Sequence, residues 1–374
     1  MKNQKIKILH VLRVAGGVGI SLKMILANIN KDKFDNLVVL EDEDYTQSYI
    51  DPKSKTQIYR LSIPREISIF KDIRAAWKVR KIINKEKINL IHAHSSKGGL
   101  IARLAVIGKK TKVLYTPQAF SYLSTDNKVK RYIFLSAEKI LKYFNSILLA
   151  SSHSEQIRAI KEVGYKEKQT ILFNNAIEPI KITELEIEQT WPDNYLCTVG
   201  RPSYQKRLDM MIKVIAELKK EIPDIHLVIM GVGFYSPELN KIKTLIQKLD
   251  IEKNISLLEW TDQQNVYYII KHSQLYISTA RYEGLPYSII EALALGKPVV
   301  ATDVDGNRDL IIDNYNGFLV PGDDVLDMKN KILKIINKPE KLKEFGENSK
   351  KLFEEKFNIK KQISQLEKIY EIML

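Results

Sequence analysis

Residues 278–305 read STARYEGLPYSIIEALALGKPVVATDVD, and this stretch decides the fold of the second half of the chain. It leaves a predicted strand, passes through a loop carrying Glu283, and enters a helix at Pro286, whose fixed φ suits a first helical position. After that helix, Val299–Thr302 form another buried strand. Glu283 in the loop and Glu291 in the helix flank a helix N-terminus, whose unpaired N–H groups attract phosphate. This arrangement suits a nucleotide diphosphate that carries hydroxyl groups at both ends.

The same alternation of apolar strand and amphipathic helix runs along the whole chain. Predicted strands lie near residues 5–12, 36–41, 57–61, 89–94, 112–117, 146–151 and 170–174, and again near 195–200, 226–231, 255–259, 274–279, 298–302 and 317–320. Such alternation predicts α/β architecture with parallel sheets covered on both faces, and 374 residues favour two domains. We predict a first domain at 1–178, a linker at 179–192, a second domain at 193–356 and a final helical segment at 357–374.

Composition restricts the compartment and the partners. The single cysteine, Cys197, excludes an internal disulfide and favours a reducing compartment. The N-terminal apolar run is too short for a signal sequence, and no stretch approaches the length of a spanning helix, so we expect a cytoplasmic protein. Residues 1–192 hold 33 Lys and Arg against 19 Asp and Glu, whereas the remainder holds 26 of each. This asymmetry predicts an anionic partner for the first half, either nucleic acid or a membrane surface.

Two predicted helices of the first half are basic and also carry large apolar side chains. The helix near 69–87 has Lys71, Arg74, Lys78, Lys81 and Lys85 at helical spacing, with Ile69, Ile73, Ala76, Trp77 and Ile83 broadly opposite. The helix near 128–144 repeats the pattern with Lys128, Lys130, Arg131, Lys139 and Lys142 beside Tyr132, Phe134, Tyr143 and Phe144. One such helix is usually a solvated face, but two in the basic half favour an anionic membrane surface.

In the second half, several residues at strand ends could bind a diphosphate. Gly200 and Arg201 end the first strand, and Lys206 follows at the start of a helix. Arginine offers a planar fork and lysine a point charge, although both are more often solvated cations. Gly231 and Gly233 form another turn at a strand end, for which tight turning is an equally good explanation.

The first half has its own polar strand ends. Gly16 and Gly17 follow the first strand, where a tight turn and a phosphate or sugar contact have roughly even support. The segment from His94 to Gly99 follows the fourth strand and favours an anion or hydroxyl ligand. A metal site at His92 and His94 is disfavoured, because no Cys, Asp or Glu nearby completes a ligand set.

These motifs resemble the family-4 retaining glycosyltransferases over nearly the whole chain. The highly specific match is E-x7-E, here Glu283-GLPYSII-Glu291, with its GKPVVAT continuation. The GR…K residues, the GG turn and the HSSK-G-G segment match moderately specific motifs. The resemblance implies the GT-B fold, in which two Rossmann-like doubly wound domains face each other across a cleft. In this fold the final helix commonly crosses back to the first domain.

By resemblance, Glu283 contacts the donor sugar near the reacting centre, Glu291 holds the ribose hydroxyls, and Arg201 with Lys206 stabilises the leaving diphosphate. The other implied donor-binding residues are Gly284, Leu285, Pro286, Gly200, Gly231, Gly233 and Asn175. The residues implied on the acceptor or phosphate side are Gly16, Gly17, His94, Ser95, Ser96, Lys97 and Gln118. The family pattern implies retention of anomeric configuration, no metal ion and no cofactor.

Three positions depart from the family pattern. Gln118 stands where many members have a histidine near the sugar, and an amide cannot titrate. The junction turn Asn175–Glu178 lacks the usual glycine. Asp305 stands where glycine is common, which bears on selection of the donor sugar.

We therefore expect a retaining transferase that moves a sugar from a nucleotide diphosphate, in particular a UDP-sugar, to a lipid-linked saccharide for bacterial capsule or O-antigen. Such an enzyme would work at the anionic inner face of the cell membrane and would not bind nucleic acid. Two other functions stay open on the residues alone: a nucleotide-sugar 2-epimerase of similar fold and a non-enzymatic nucleic-acid-binding protein. Conversion of a sugar nucleotide without acceptor would favour the first, and salt-sensitive RNA or DNA binding the second.

Overall fold

The computed structural model describes residues 5–14, 16–42, 50, 56–64, 66, 68–183, 189–233 and 236–374. The chain divides into two compact units. Unit 1 comprises Met1–Glu178 together with Ile359–Leu374, and unit 2 comprises Pro179–Asn358. The predicted linker at 179–192 therefore falls within unit 2, and the final helix falls within unit 1.

Unit 1 is built on a parallel sheet with the strand order β3-β2-β1-β4-β5-β6-β7 among the described residues. The strands are β1 (Ile6–Leu12), β2 (Phe34–Glu41), β3 (Gln57–Leu61), β4 (Leu90–His94), β5 (Lys112–Thr116), β6 (Ser146–Ala150) and β7 (Thr170–Leu172). The helices are α1 (Gly17–Asn28), α2 (Ile69–Glu86), α3 (Ser95–Ala105), α4 (Lys128–Leu141) and α5 (His153–Arg158), with α13 (Ile359–Ile372) from the end of the chain.

Both faces of this sheet are covered, which explains why its strands are apolar almost throughout. Ile8 and Leu9 are neighbours on β1 and point to opposite faces. Leu9 belongs to the core under α2 and α3, whereas Ile8 belongs to the core under α1 and α13.

The last helix, α13, completes the second of these cores. Leu366 and Tyr370 are fully buried there. The Tyr370 hydroxyl lies 2.7 Å from Nδ1 of His92, and the backbone N–H of Asn30 donates to the Glu367 carboxylate at 2.7 Å. Residues distant in sequence thus seal the face of the sheet opposite α2 and α3.

The helices α2 and α4 leave large apolar side chains exposed. Of the apolar residues predicted to lie opposite the basic face of α2, Ala76 and Ile83 are buried, but Ile69, Ile73 and Trp77 are 69%, 57% and 56% exposed. The stripe that packs on the sheet is instead formed by Ala75, Ala76, Val79, Ile82 and Ile83. On α4 the exposed large apolar side chains are Val129, Tyr132, Ile133 and Ile140. Both helices contact α3, so they lie on the same face of unit 1.

Unit 2 repeats the architecture with the strand order β10-β9-β8-β11-β12-β13 in the described part of the chain, again parallel. Its strands are β8 (Leu196–Val199), β9 (Leu227–Val232), β10 (Ile255–Glu259), β11 (Leu275–Ser278), β12 (Val299–Thr302) and β13 (Gly317–Val320). Its helices are α6 (Leu208–Lys219), α7 (Leu239–Lys248), α8 (Gln263–His272), α9 (Tyr287–Ala294), α10 (Asn307–Leu310), α11 (Val325–Ile336) and α12 (Pro339–Lys356).

The order reverses between β8 and β11, which lie side by side although three helices and two strands separate them in sequence. Ligands of doubly wound folds bind at the carboxyl ends of strands at such a switch point. In unit 2 this point is flanked by Gly200–Arg207 after β8 and by Thr279–Pro286 after β11. Pro286 is the residue before the first turn of α9, one position earlier than predicted.

Among the described residues, no helix has the length and apolar character needed to cross a bilayer.

Candidate active site

Two of the three residues predicted to be catalytic, Glu283 and Lys206, are in direct contact. The Lys206 ammonium donates to Oε1 of Glu283 at 2.8 Å, and the Gln205 side-chain amide donates to Oε2 at 3.2 Å. Glu283 is 7% exposed, whereas the Lys206 side chain keeps 24% of its surface accessible. The carboxylate is thus held from two sides, and the cation retains donors for another partner. Gln205 was not predicted, because only its contact with Glu283 identifies it.

Backbone contacts fix the two loops against each other. The N–H of Arg281 donates to the carbonyl of Gln205 at 2.8 Å. The Thr279 hydroxyl donates to the carbonyls of Lys206 and Arg207 at 3.1 and 2.9 Å. Glu283 and Lys206 therefore lie on loops that are bonded to each other before any ligand binds, which is what a preorganised site requires.

Gly200 allows Lys206 to reach this position. A β-carbon at Gly200 would lie 3.2 Å from two carbons of the Lys206 stem, which is tighter than ordinary van der Waals contact. The Gly200 N–H donates to the carbonyl of Met230 at 2.9 Å, which fixes the end of β8 against β9. Arg201 follows directly and is half-buried. The predicted diphosphate residues thus share one strand end.

Glu291 lies on α9 and is 5% exposed. Its Oε1 accepts from the Gln263 amide at 3.2 Å and from the Tyr267 hydroxyl at 3.5 Å, both on α8. Burial raises the pKa of Glu291 to about 7, against the opposing effect of these hydrogen bonds. Gln263 and Tyr267 were not predicted, since only the packing of α8 against α9 brings them to the carboxylate.

The remaining predicted donor residues are distributed between the two units. Gly284, Leu285 and Pro286 are buried in the loop that links Glu283 to α9. Gly231 and Gly233 stand at the end of β9. Asp305 is buried, and its carboxylate lies 3.4 Å from the Arg308 guanidinium. Asn175 belongs to unit 1, where its N–H donates to the carbonyl of Ser151.

In unit 1, the polar groups predicted on the acceptor side lie at the ends of β4 and β5. Ser95 and Gln118 adopt φ of +63° and +52°, a region that L-residues seldom occupy. Among the described residues, the buried Ser95 Oγ and Gln118 Nε2 have no hydrogen-bond partner. Ser96 Oγ accepts from the N–H of Ser121 at 3.2 Å, which ties the start of α3 to the segment after Gln118. Backbone strain and unsatisfied polar atoms in one place are typical of a ligand site.

Glu155 supports this turn and was not predicted. Its carboxylate accepts from the N–H of Ala119, the residue after Gln118, and from the N–H and hydroxyl of Ser151, each at 2.8 Å. Glu155 is 2% exposed and stands at the start of α5. Ala119 also has a positive φ, of +76°, so the buried carboxylate bonds directly to a residue with a strained backbone.

The other predicted residues of unit 1 have different surroundings. Gly16 caps α1, which begins at Gly17. Lys97 is not open to solvent, because its ammonium pairs with Asp72 at 2.7 Å and the side chain is 11% exposed. His94, which the resemblance places on the acceptor or phosphate side, is fully buried.

His94 belongs to a cluster of three buried histidines with His10 and His92. The third member is a histidine rather than the Cys, Asp or Glu considered from the sequence, because the register of β1 and β4 sets His10 opposite His92. Their ligand atoms lie within 4.8 Å of one another. No local sequence pattern could reveal this contact, since 82 positions separate His10 from His92.

Hydrogen bonds satisfy most of this cluster. Oδ1 of Asn36 can only accept, so Nε2 of His10 donates to it at 3.0 Å, and Nδ1 of His10 accepts from Nε2 of His94 at 3.1 Å. His92 is bonded to Tyr370 and Thr116. Burial lowers the pKa of His10 to about 4 and those of His92 and His94 well below the usual range. Three neutral imidazoles, of which His92 contacts Tyr370 of α13, therefore serve the core of unit 1.

Two family models match the chain, one in each half. The model described as "Glycosyl transferase 4-like domain" matches residues 16–174, and "Glycosyl transferases group 1" matches residues 183–352.

Similar proteins come from several bacteria. The chain is 24% identical to the UDP-Gal:alpha-D-GlcNAc-diphosphoundecaprenol alpha-1,3-galactosyltransferase of Escherichia coli, over 98% of this chain and 97% of that protein. It is also 24% identical to the capsular polysaccharide biosynthesis glycosyltransferase CapM of Staphylococcus aureus, over 100% and 98% of the two chains.

Solved structures share the fold at lower identity. Sucrose-phosphate synthase from Thermosynechococcus elongatus superposes with a TM-score of 0.84 at 18% identity, covering 99% of both chains. Anabaena HepE, solved in complex with UDP and glucose, gives 0.81 at 19% identity, covering 98% of this chain and 99% of that one. With both halves matched in their order along the sequence, the chain belongs to the family-4 glycosyltransferases of the GT-B fold, of the type that builds bacterial capsules and other polysaccharides.

Proposed function

We propose that this glycosyltransferase moves a sugar from a UDP-sugar to a lipid-linked saccharide with retention of anomeric configuration. The observation that carries the proposal is the contact between Lys206 and Glu283 at the switch point of unit 2. A cation and a carboxylate in contact there suit a reaction in which a diphosphate leaves a sugar.

The charges match that reaction. As the bond to the diphosphate breaks, negative charge grows on the leaving oxygen and positive charge grows on the anomeric carbon. A fixed cation near the leaving group lowers the barrier without reorganisation. Lys206 uses one of its three donors on Glu283, so donors remain for a phosphate oxygen. Glu283 keeps lone pairs for sugar hydroxyls beyond the bonds from Lys206 and Gln205.

A uridine diphosphate is supported by the relatives and by the nucleoside end of the site. The name of the Escherichia coli relative specifies UDP-Gal, and Anabaena HepE was solved with UDP. Glu291 is a buried carboxylate and an acceptor for ribose hydroxyls, and hydroxyl donors favour its charged form.

We further propose that transfer needs no divalent metal. Arg201 and Lys206 supply two positive charges on the loop after β8, where the diphosphate would bind. Transfer that continues at an unchanged rate in excess EDTA is the expected result. Activity that is lost in EDTA and restored by Mg²⁺ or Mn²⁺ would contradict it.

The acceptor is expected to bind unit 1. Ser95 and Gln118 offer buried polar atoms at adjacent strand ends, and a saccharide hydroxyl would satisfy both. Gln118 can hydrogen-bond, but its amide cannot act as an acid or a base near neutral pH. Proton transfer from the acceptor therefore falls to the leaving phosphate, as front-side attack requires. The Escherichia coli relative, by its name, acts on a diphosphoundecaprenol-linked sugar.

A lipid-linked acceptor requires the enzyme to bind at the membrane surface. The exposed face of α2 and α4 has the composition expected for such binding. Trp77 and Tyr132 are 56% and 73% exposed, and the Lys81 ammonium lies 3.5 Å from the centre of the Trp77 ring. Lys71 and Arg131 are exposed on the same helices. Apolar side chains interleaved with basic ones suit the interface of an anionic bilayer, where each basic residue contributes about 1 kcal/mol.

Vesicle sedimentation tests this surface. We expect the protein to sediment with phosphatidylglycerol vesicles at low salt but not with phosphatidylcholine vesicles, and Trp77→Glu to weaken binding. Leu326→Glu is a matched control, because Leu326 is 57% exposed on a helix of unit 2. Equal binding of the two variants would contradict the assignment, as would indifference to anionic lipid.

The function itself is tested by incubation with UDP-Gal, UDP-Glc or UDP-GlcNAc and an undecaprenyl-diphosphate-linked sugar. Mass spectrometry should detect a product one sugar larger, and proton NMR should give the α-anomer from an α-linked donor. A β-linked product would contradict retention. Conversion of the sugar nucleotide to an epimer without acceptor would favour the epimerase instead.

A further inference from the structure

We infer that Trp260 is the platform on which the base of the donor nucleotide stacks, an inference that rests on the proposed function. Trp260 directly follows β10 and is 66% exposed. The other large apolar side chains exposed among the described residues of unit 2 are Ile312 and Leu326. The exposed indole ring at the carboxyl edge of the sheet is therefore accessible to a ligand.

The ring rests against the glycine turn that ends β9. Register pairs Leu258 with Met230 and, after an irregularity, Glu259 with Val232, so Trp260 emerges beside Gly233. A β-carbon on Gly231 or Gly233 would lie 4.0 Å from the indole. Both glycines have positive φ, of +89° and +126°, which strongly favours glycine. The turn thus leaves the surroundings of the indole free of side-chain bulk.

The same turn connects the indole with the predicted diphosphate residues. The β-carbon position of Gly231 is 3.9 Å from the backbone nitrogen of Gly200 and 4.0 Å from that of Arg201. Gly231 therefore stands between the Trp260 ring and the strand end that would bind the diphosphate. An aromatic ring and a phosphate-binding strand end are separated by about one small residue.

The chain beyond Trp260 leads to the ribose end of the site. Asp262 caps α8, and Gln263 in the first turn of that helix donates to Glu291 at 3.2 Å. Three positions thus separate the exposed ring from a residue that touches the carboxylate predicted to bind ribose. A base attached to that ribose has to lie within a few ångströms of it.

Stacking is the interaction that a flat heterocycle makes with an indole. Base–aromatic stacking tolerates any base, because every base has a π-face. Trp260 should therefore contribute to affinity for any nucleoside diphosphate and should not by itself select uracil. This property separates stacking from a hydrogen-bonded base contact.

The test measures binding of UDP, GDP and inorganic diphosphate by calorimetry to wild type, Trp260→Ala and Trp260→Phe. We expect Trp260→Ala to weaken UDP and GDP by about 5- to 100-fold each. Trp260→Phe should retain most of the affinity because it keeps a ring, and inorganic diphosphate should bind all three proteins alike. Trp77→Ala is the matched control, because Trp77 is also more than half exposed and lies in unit 1.

Tryptophan fluorescence gives a readout that a purely structural role would not move. The protein has three tryptophans, Trp77, Trp191 and Trp260. UDP should quench the emission of wild type and of Trp77→Phe but not that of Trp260→Phe.

Three results overturn the inference. One is a Trp260→Ala protein that binds UDP as wild type does. Another is an equal loss of affinity for inorganic diphosphate, which would mean that the substitution damages the loop. The third is quenching that persists in Trp260→Phe. None of these results contradicts the proposed function. A wild-type chain that binds no nucleoside diphosphate would contradict both the proposed function and the role of Trp260.

Discussion

Two groups of ionisable side chains, one in each unit, are buried in different ways. In unit 2, Lys206 and Glu283 form a pair at the edge of the sheet, and the lysine keeps about a quarter of its surface accessible. In unit 1, His10, His92 and His94 lie in the interior with at most 1% exposure. The first pair is charged and open on one side, whereas burial lowers the pKa of all three histidines and leaves them neutral.

The difference separates a reactive role from a structural one. A charged pair whose lysine is partly accessible to solvent can exchange one partner for a ligand. Neutral imidazoles bonded to Asn36, Thr116 and Tyr370 have exchanged water for protein partners and connect β1, β4 and α13. Clustered histidines are a frequent sign of chemistry, yet here the pair of opposite charges is the better candidate.

The largest effect should follow removal of the cation of unit 2. Lys206→Ala is expected to lower the transfer rate by about 10²–10³-fold, because it removes a donor to the leaving diphosphate. The rate is measured with saturating donor and acceptor, and circular dichroism should report an intact fold. Lys331→Ala is the control, since this lysine is similarly buried in unit 2 and pairs with Asp327 at 3.2 Å. Near-normal turnover of Lys206→Ala would refute the assignment.

A smaller effect should appear when acid reaches the histidines of unit 1. The folded pKa of His10 is about 4 against 6.5 for a free histidine, so between these values the unfolded state binds more protons. Stability should therefore be complete above pH 6.5 and fall as pH decreases towards 4, by roughly 3 kcal/mol for His10 alone. Amide hydrogen exchange in β1 and β4 measures this loss.

Variants identify the groups responsible. His94→Leu should lower stability at neutral pH but weaken its dependence on acid, because one titrating group is gone. His272→Gln, at an exposed histidine of unit 2, should leave the acid dependence unchanged. If both variants kept the wild-type profile, the cluster would not be the acid-sensitive element.

The smallest effect concerns Glu291. It is intermediate between the charged Lys206–Glu283 pair and the neutral histidine cluster, because it is buried yet titrates near neutrality. Its pKa of about 7 means that the charged form accumulates as pH rises from 6 to 8. Ribose hydroxyls favour that form, so a UDP-sugar should bind about tenfold more tightly at pH 8 than at pH 6. A UDP-sugar is the right probe because its diphosphate diester does not titrate in this range. Calorimetry on Glu291→Gln should find no such dependence, and an unchanged pH profile would exclude Glu291 as its source.

The local sequence pattern was sufficient to predict the strands and the two-domain α/β fold. It also predicted that Glu283 and Lys206 both lie at strand ends of unit 2. Apolar runs of four to eight residues between helical stretches fixed the elements, and spacing related Glu283 to Glu291. Lys206 could be assigned to the same strand-end region, because β8 and β11 both read as buried strands. These inferences need only the order of elements and the rule that parallel strands share a carboxyl edge.

Residues joined through tertiary packing could not be found in this way. His10 meets His92 only through strand register, and Gln263 meets Glu291 only through the packing of two helices. On α2 the apolar residues exceed what one face can bury. Periodicity alone did not decide that Val79 would pack on the sheet while Trp77 stayed exposed. The sequence pattern shows which positions of a helix are apolar, but packing against neighbouring elements decides which of these side chains are buried.

The position of α13 has a consequence for the order in which the protein matures on the ribosome. One core of unit 1 includes Leu366 and Tyr370, so β1 and β4 are synthesised long before the side chains that cover them. All of Pro179–Asn358 is translated in between, which takes roughly 10 to 40 s at bacterial rates. During that interval Tyr370, the hydrogen-bond partner of His92, has not yet been synthesised. Unit 2, whose residues are continuous in sequence, can be the first to finish, although unit 1 is the first to emerge.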